Sequence, residues 1–321
     1  MTTPPTGPDA AAPPATPAPG SSPAGVAAAL AAVTVWGLGN TIIASVPMSG
    51  IAVSFYRLLF GAVLYVAVLH ARGGRLGRRS FRLGGAGGVA FGLNVATFFA
   101  ALQLTSVANA TTISALQPLA IMAFAAAMFG ERIRARHVVC AVVATLGVAL
   151  VAFGTSRGAT GSLAGDVMAV LALITWAWYF IASKKAREQL DTLEYMTVIN
   201  IVAFVVVAPI ALATGELFTA AGRLDASTSL LILAIVLVPG SGHILINWAH
   251  NHTTLVTSAL ITLALPVVAT ASAAVFLDQR VAAIQVVGIA TVLVSLAAVI
   301  VGDARSAAIA LRNAEATEPA P

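Results

Sequence analysis

Charge is what this chain has least of. Aspartate, glutamate, lysine and arginine together make up 9% of its 321 residues, against 59% hydrophobic residues. Soluble domains carry roughly 25% charged residues, so a water-soluble fold is excluded. Acid is scarcer still: no aspartate or glutamate occurs between Ala10 and Gly130, and the first four apolar runs therefore hold no carboxylate. A carrier that exchanges protons for cations ordinarily relies on a membrane-buried acid, so this absence counts against one. The single cysteine, Cys140, rules out an internal disulfide and reads as a buried apolar thiol. Metal-ligand clusters, phosphate-cradling glycine loops and nucleophile motifs are missing too. No metal, cofactor or catalysis is expected.

What the chain does have is length in its apolar runs. Segments of about 20 residues cross a ~30 Å hydrocarbon core as helices, and ten are expected at 24–46, 51–71, 83–104, 107–129, 136–154, 164–183, 193–214, 228–250, 252–276 and 281–302. A net charge of +5 would suggest nucleic acid in a soluble protein, but here the basic residues follow the loops. Counted by alternate loops, one side carries thirteen, from Arg72 to Arg312, and the other only Arg157, Arg223 and Arg280. The positive-inside rule then places both termini in the cytoplasm and makes the partners a bilayer and a small-molecule substrate, not nucleic acid.

The chain also repeats itself. SVANATTISALQPLAIMAFAAAMFGERI, at 106–133, returns 148 positions later as TLVTSALITLALPVVATASAAVFLDQRV, and 105–154 laid on 253–302 without a gap gives 13 identities in 50. The matches fall at punctuation: Pro118 with Pro266, Arg132 with Arg280, Gly154 with Gly302. Five spans per half is an odd number, so the second half enters the membrane inverted. The expected fold class is thus an all-α membrane protein, with ten transmembrane helices as two inverted five-helix repeats around a central cavity. Its divisions are a disordered Pro/Ala-rich tail (1–23), a first repeat (24–154), a loop (155–163), a second repeat (164–302) and a C-terminal tail (303–321).

Polar residues inside spans mark the candidate site, because hydrocarbon offers them no partner. Arg57 is the one basic residue inside a span. Its insertion costs at least ~2.5 kcal/mol, so it either faces a cavity or reaches for the interface. Trp36 with Asn40, Asn94, Trp176 with Tyr179, and His243 with Asn247 form the expected substrate lining. Amides would fix a polar end and rings cover an apolar one. Each also has a plain structural reading: the tryptophans as packing or interface anchors, Asn94 as a bond between helices. His243, mid-span and able to titrate near neutral pH, is the group expected to answer to protons. Gly84, Gly85, Gly87, Gly88 and Gly92 read as a close-packing face. Pro118 and Pro266 bend matching helices and suggest paired hinges.

Trp36-Gly37, YRLL at 56–59, ALQPL at 115–119, GERI at 130–133 and their echoes LALP and LDQR resemble the drug/metabolite transporter superfamily, in particular its ten-helix EamA-domain exporters. The resemblance covers about 24–302. It implies a five-plus-five inverted bundle, alternating access, and export of amino acids, related metabolites or drugs. LDQR departs from the Gly-Glu pattern that the family often repeats. The resulting expectation is a secondary transporter of the inner membrane, monomer or homodimer, rather than an enzyme on a lipid-linked substrate or a non-transporting scaffold.

Overall fold

The structure is a computed structural model that describes residues 21–105, 107–155, 162–221, 224–276, 278 and 280–315. Nearly all of the expected N-terminal tail and most of the inter-repeat loop lie outside them. Helices α1 (Pro23–Ala44), α2 (Gly50–Ala71), α3 (Arg78–Leu104), α4 (Val107–Ser114), α5 (Gln117–Phe129) and α6 (Ala135–Thr155) form the first half. The second half contains α7 (Leu163–Arg187), α8 (Thr192–Ala213), the short α9 (Glu216–Ala221) and α10 (Ala226–Ala249). It continues through α11 (Leu255–Ile261), a 3-10 turn (Thr262–Ala264), α12 (Leu265–Phe276) and α13 (Ala283–Glu315). Ten spans are long and apolar enough to cross a membrane, with α4–α5 and α11–α12 counting as one each.

Side chains set the starts of these helices. Ser22, Ser49, Ser162, Asp191, Asp225 and Thr254 each precede a first turn and accept a hydrogen bond from the amide three residues on. Several boundaries run beyond the apolar runs. α3 begins at Arg78, whose long side chain keeps its head in water, and α7 ends at Arg187, whose guanidinium turns inward to the Asn247 and Leu190 carbonyls. α13 passes through the expected C-terminal tail to Glu315, since SAAIALRNAE is rich in helix formers and contains nothing to break it.

The two halves share one plan. α4 and α11 begin at Val107 and Leu255, and α5 and α12 begin at Gln117 and Leu265, each pair 148 residues apart. Both fourth helices of the repeats therefore break one residue before a proline, Pro118 or Pro266, where the missing N–H ends the hydrogen-bond ladder. Gly130 (φ 62°) and Asp278 (φ 51°), also 148 apart, both turn left-handed at the end of these helices. Packing repeats the pattern. α3 lies along α7 and α8, and exchanging the halves turns those pairs into α10 along α1 and α2, which also pack; α6 pairs with its own counterpart α13. The fold is thus two inverted five-helix repeats related by a pseudo-twofold axis.

Glycines let the central helices close. At Gly84, Gly88 and Gly92 an added Cβ would meet Val198, Val202 and Val206 of α8 within 3.0 Å, whereas Gly85 has nothing within 4 Å. Gly147 and Gly288 bring α6 and α13 to backbone contact. In lipid, such close approach replaces the hydrophobic drive that holds soluble cores together.

Candidate functional site

The pseudo-twofold carries α1 onto α7, so the tryptophan near the middle of each meets the other: Trp36 and Trp176 lie edge to face, with centroids 5.8 Å apart. Trp36 is seated by glycine. A Cβ at Gly242 would lie 2.5 Å from its Nε1, and one at Gly37 would strike Val268 of α12. His243 of α10 closes the group, 4.9 Å from Trp36 and 4.8 Å from Phe91 of α3. These rings form the floor of a cavity of about 270 Å³, near the roughly 300 Å³ lower bound of small-molecule pockets.

The walls come from the halves of the helices farther from the basic loops: Asn40 and Ile43, Arg57, Asn94 with Phe98 and Phe99, Thr111 with Ser114, and Gln117. The breaks in α4–α5 and α11–α12 also face this space, through Ser114, Ala115 and Gln117 on one side and Thr262, Leu265 and Pro266 on the other. Below the floor the bundle is closed. Tyr179, Asn247, Leu255, Ser258 and Leu260 are all but fully buried there.

Of the residues expected from sequence, Trp36, Asn40, Asn94, Trp176, His243, Arg57 and Pro266 line the cavity, whereas Tyr179, Asn247 and Pro118 do not. Asn247 lies a layer deeper. Its Nδ2 donates to the Tyr179 hydroxyl at 2.8 Å and to the His243 carbonyl at 2.7 Å, and the hydroxyl lies 3.4 Å from His243 Nδ1. Tyr179 and Asn247 thus orient the histidine from behind. Asn94 serves two ends: it lines the cavity while its Nδ2 donates to the Ala172 carbonyl of α7 at 2.8 Å.

Sequence reasoning missed the phenylalanines. Phe91 sits under Arg57, whose Cζ is 5.6 Å from the ring centroid, and stacks at 5.2 Å on Tyr179. No polar signal marked it, since a phenylalanine in an apolar run is indistinguishable from a lipid-facing one. Glu131, in the GERI segment at the end of α5, does not reach water as a helix-end carboxylate ordinarily would. Its carboxylate is buried under α11, accepting from the amides of Leu255 (2.8 Å) and Val256 (3.0 Å) and from Lys184 Nζ (2.6 Å). Beside it, Asp303 of α13 accepts from Arg136 and contacts His137 (3.0 Å) and the Thr257 hydroxyl (3.2 Å). Ionic contacts therefore staple the closed end, nearest the basic loops.

A ten-span inverted-repeat bundle with a ring-lined cavity at mid-depth and one end sealed is the architecture of a membrane transporter. The model of the EamA-like transporter family matches residues 23–153 and again 163–301, so the chain belongs to that family. A solved crystal structure superposes with a TM-score of 0.69 at 20% sequence identity, over 88% of this chain and 98% of that one, a likeness of fold. No curated protein matches the sequence.

Proposed function

We propose that this protein is a secondary carrier of the inner membrane, both termini cytoplasmic, which exports a small neutral or zwitterionic metabolite, such as an amino acid or related compound, or a drug. It acts by alternating access as a monomer or homodimer. The observation that carries the reading is the cavity itself: apolar rings below, neutral amides at Asn40, Asn94 and Gln117 above, and no acid among its lining residues. Rings cover an apolar body and amides orient a polar end. The breaks at Pro118 and Pro266 are the hinges this mechanism uses, because helices already interrupted at mid-depth swing without losing further hydrogen bonds.

Counterflow of radiolabelled amino acids in proteoliposomes tests this. Wild type is expected to exchange at least one of them, and Trp36→Ala to lose roughly 2 kcal/mol of ligand contact, about a thirtyfold fall in exchange at subsaturating substrate. A protein that exchanges no small molecule would instead be a scaffold. Should exchange prove pH-dependent, His243 is the group that answers to protons. In the same vesicles, a His243→Ala variant with the wild-type pH profile would refute that role.

A further inference from the structure

The cavity holds a cation with nothing to balance it. Arg57 is enclosed on every side by protein yet keeps part of its surface accessible, because its guanidinium opens into the hollow and into a smaller one behind it. Among the described residues it has neither an ion pair nor a hydrogen bond, and its Cζ lies over the face of Phe91. The buried cations elsewhere are served: Lys184 has Glu131, and Arg187 donates to the carbonyls of Asn247 and Leu190. Among the described residues no acid lines the hollow, and the first four spans contain none. A buried guanidinium left with five donors unspent is costly in a low-dielectric interior unless an anion meets it.

We propose that Arg57 is the anchor for a carboxylate on the carried molecule, so that the substrate is an apolar-bodied carboxylate, whether zwitterion or simple monoanion. This rests on the carrier reading above and narrows it. A planar carboxylate matches the guanidinium fork with two parallel hydrogen bonds. The apolar remainder then lies on the floor formed by Trp36, Trp176 and His243. One arginine balances one carboxylate, so a site loaded with a monoanion is neutral, and one loaded with a zwitterion keeps only the single charge of the ligand's ammonium. A phosphate dianion would exceed it, and a cationic amine would meet like charge.

The test uses full-length protein in detergent, titrated with phenylalanine, leucine, 3-phenylpropanoate and benzoate, each against its carboxamide, and read by thermal shift. At least one acid is expected to stabilise wild type at a concentration tenfold or more below its amide. In Arg57→Gln that preference disappears, and Arg57→Lys retains part of it. Because Arg57 supports no partner in the protein, Arg57→Gln should melt no lower than wild type without ligand. A panel in which no acid outperforms its amide overturns the proposal, as does a preference that survives in Arg57→Gln or a variant that melts well below wild type. Counterflow separates this from the carrier reading. Acids that bind but are not exchanged would sink transport and leave the anchor standing, and amides exchanged as fast as acids would do the reverse.

Discussion

Glu131→Ala is expected to unlatch the closed end of the bundle. In the native protein this carboxylate takes up the Lys184 ammonium and the first two amides of α11, all in one buried place. Deleting it strands a mostly buried cation beside two unsatisfied donors, a loss of about 3 kcal/mol. Since α11 begins the broken ninth span, the loss falls on the segment that seals the cavity floor from the basic loops. A cysteine reporter at Ser258, fully buried beneath the seal, measures it in a Cys140→Ala background. Its labelling by a membrane-impermeant maleimide should rise tenfold or more with Glu131→Ala. Glu131→Gln keeps an oxygen for one α11 amide and should fall between. Equal labelling in all three proteins would show that Glu131 does not hold this end shut. The matching position in the second repeat is Gln279, so this latch has no carboxylate at its counterpart position.

The second large effect lies in the scaffold. Gly88→Leu should fail to give a monodisperse, cooperatively melting protein, whereas Gly85→Leu should melt within about 1 kcal/mol of wild type. A side chain at Gly88 meets Val202 at 2.6 Å and the α8 backbone at Ile199 at 3.3 Å, neither of which can move aside cheaply. Overpacking of this kind costs about 3 kcal/mol or more. Gly85, one residue's turn away, faces open space. Thermal unfolding of both variants in the same detergent decides the matter, and a Gly88→Leu protein as stable as Gly85→Leu would remove close backbone approach as the reason for the glycine face.

The glycine pattern illustrates how much was legible. Five glycines in one span announced tight packing, but nothing in their spacing alone separates Gly85 from the four that touch α8. The prolines were more informative. Pro118 and Pro266 located both helix breaks, because a missing N–H acts on the chain's own ladder wherever the helix happens to sit. Arg57 stood out as a charge in an apolar run, yet both a cavity and an interface were open to it until packing enclosed it. Glu131 stands at a helix end, where a carboxylate ordinarily faces water, and only the arrival of α11 from 124 residues away makes it a buried cap.

What the sequence by itself determined is therefore everything that lives in chain order: the membrane class, ten spans, the 148-residue repeat with its inversion, and the two breaks. Apolar length, odd span count and proline act locally, so neighbours along the chain suffice to read them. Only the tertiary structure decided that Trp36, Trp176, His243 and Phe91 meet, that Tyr179 and Asn247 stand behind them, and that Arg57 faces the hollow without an acid. Those meetings join helices drawn from both halves. They depend on how the pseudo-twofold packs distant surfaces, and periodicity along a single helix carries no information about which face a remote partner will cover.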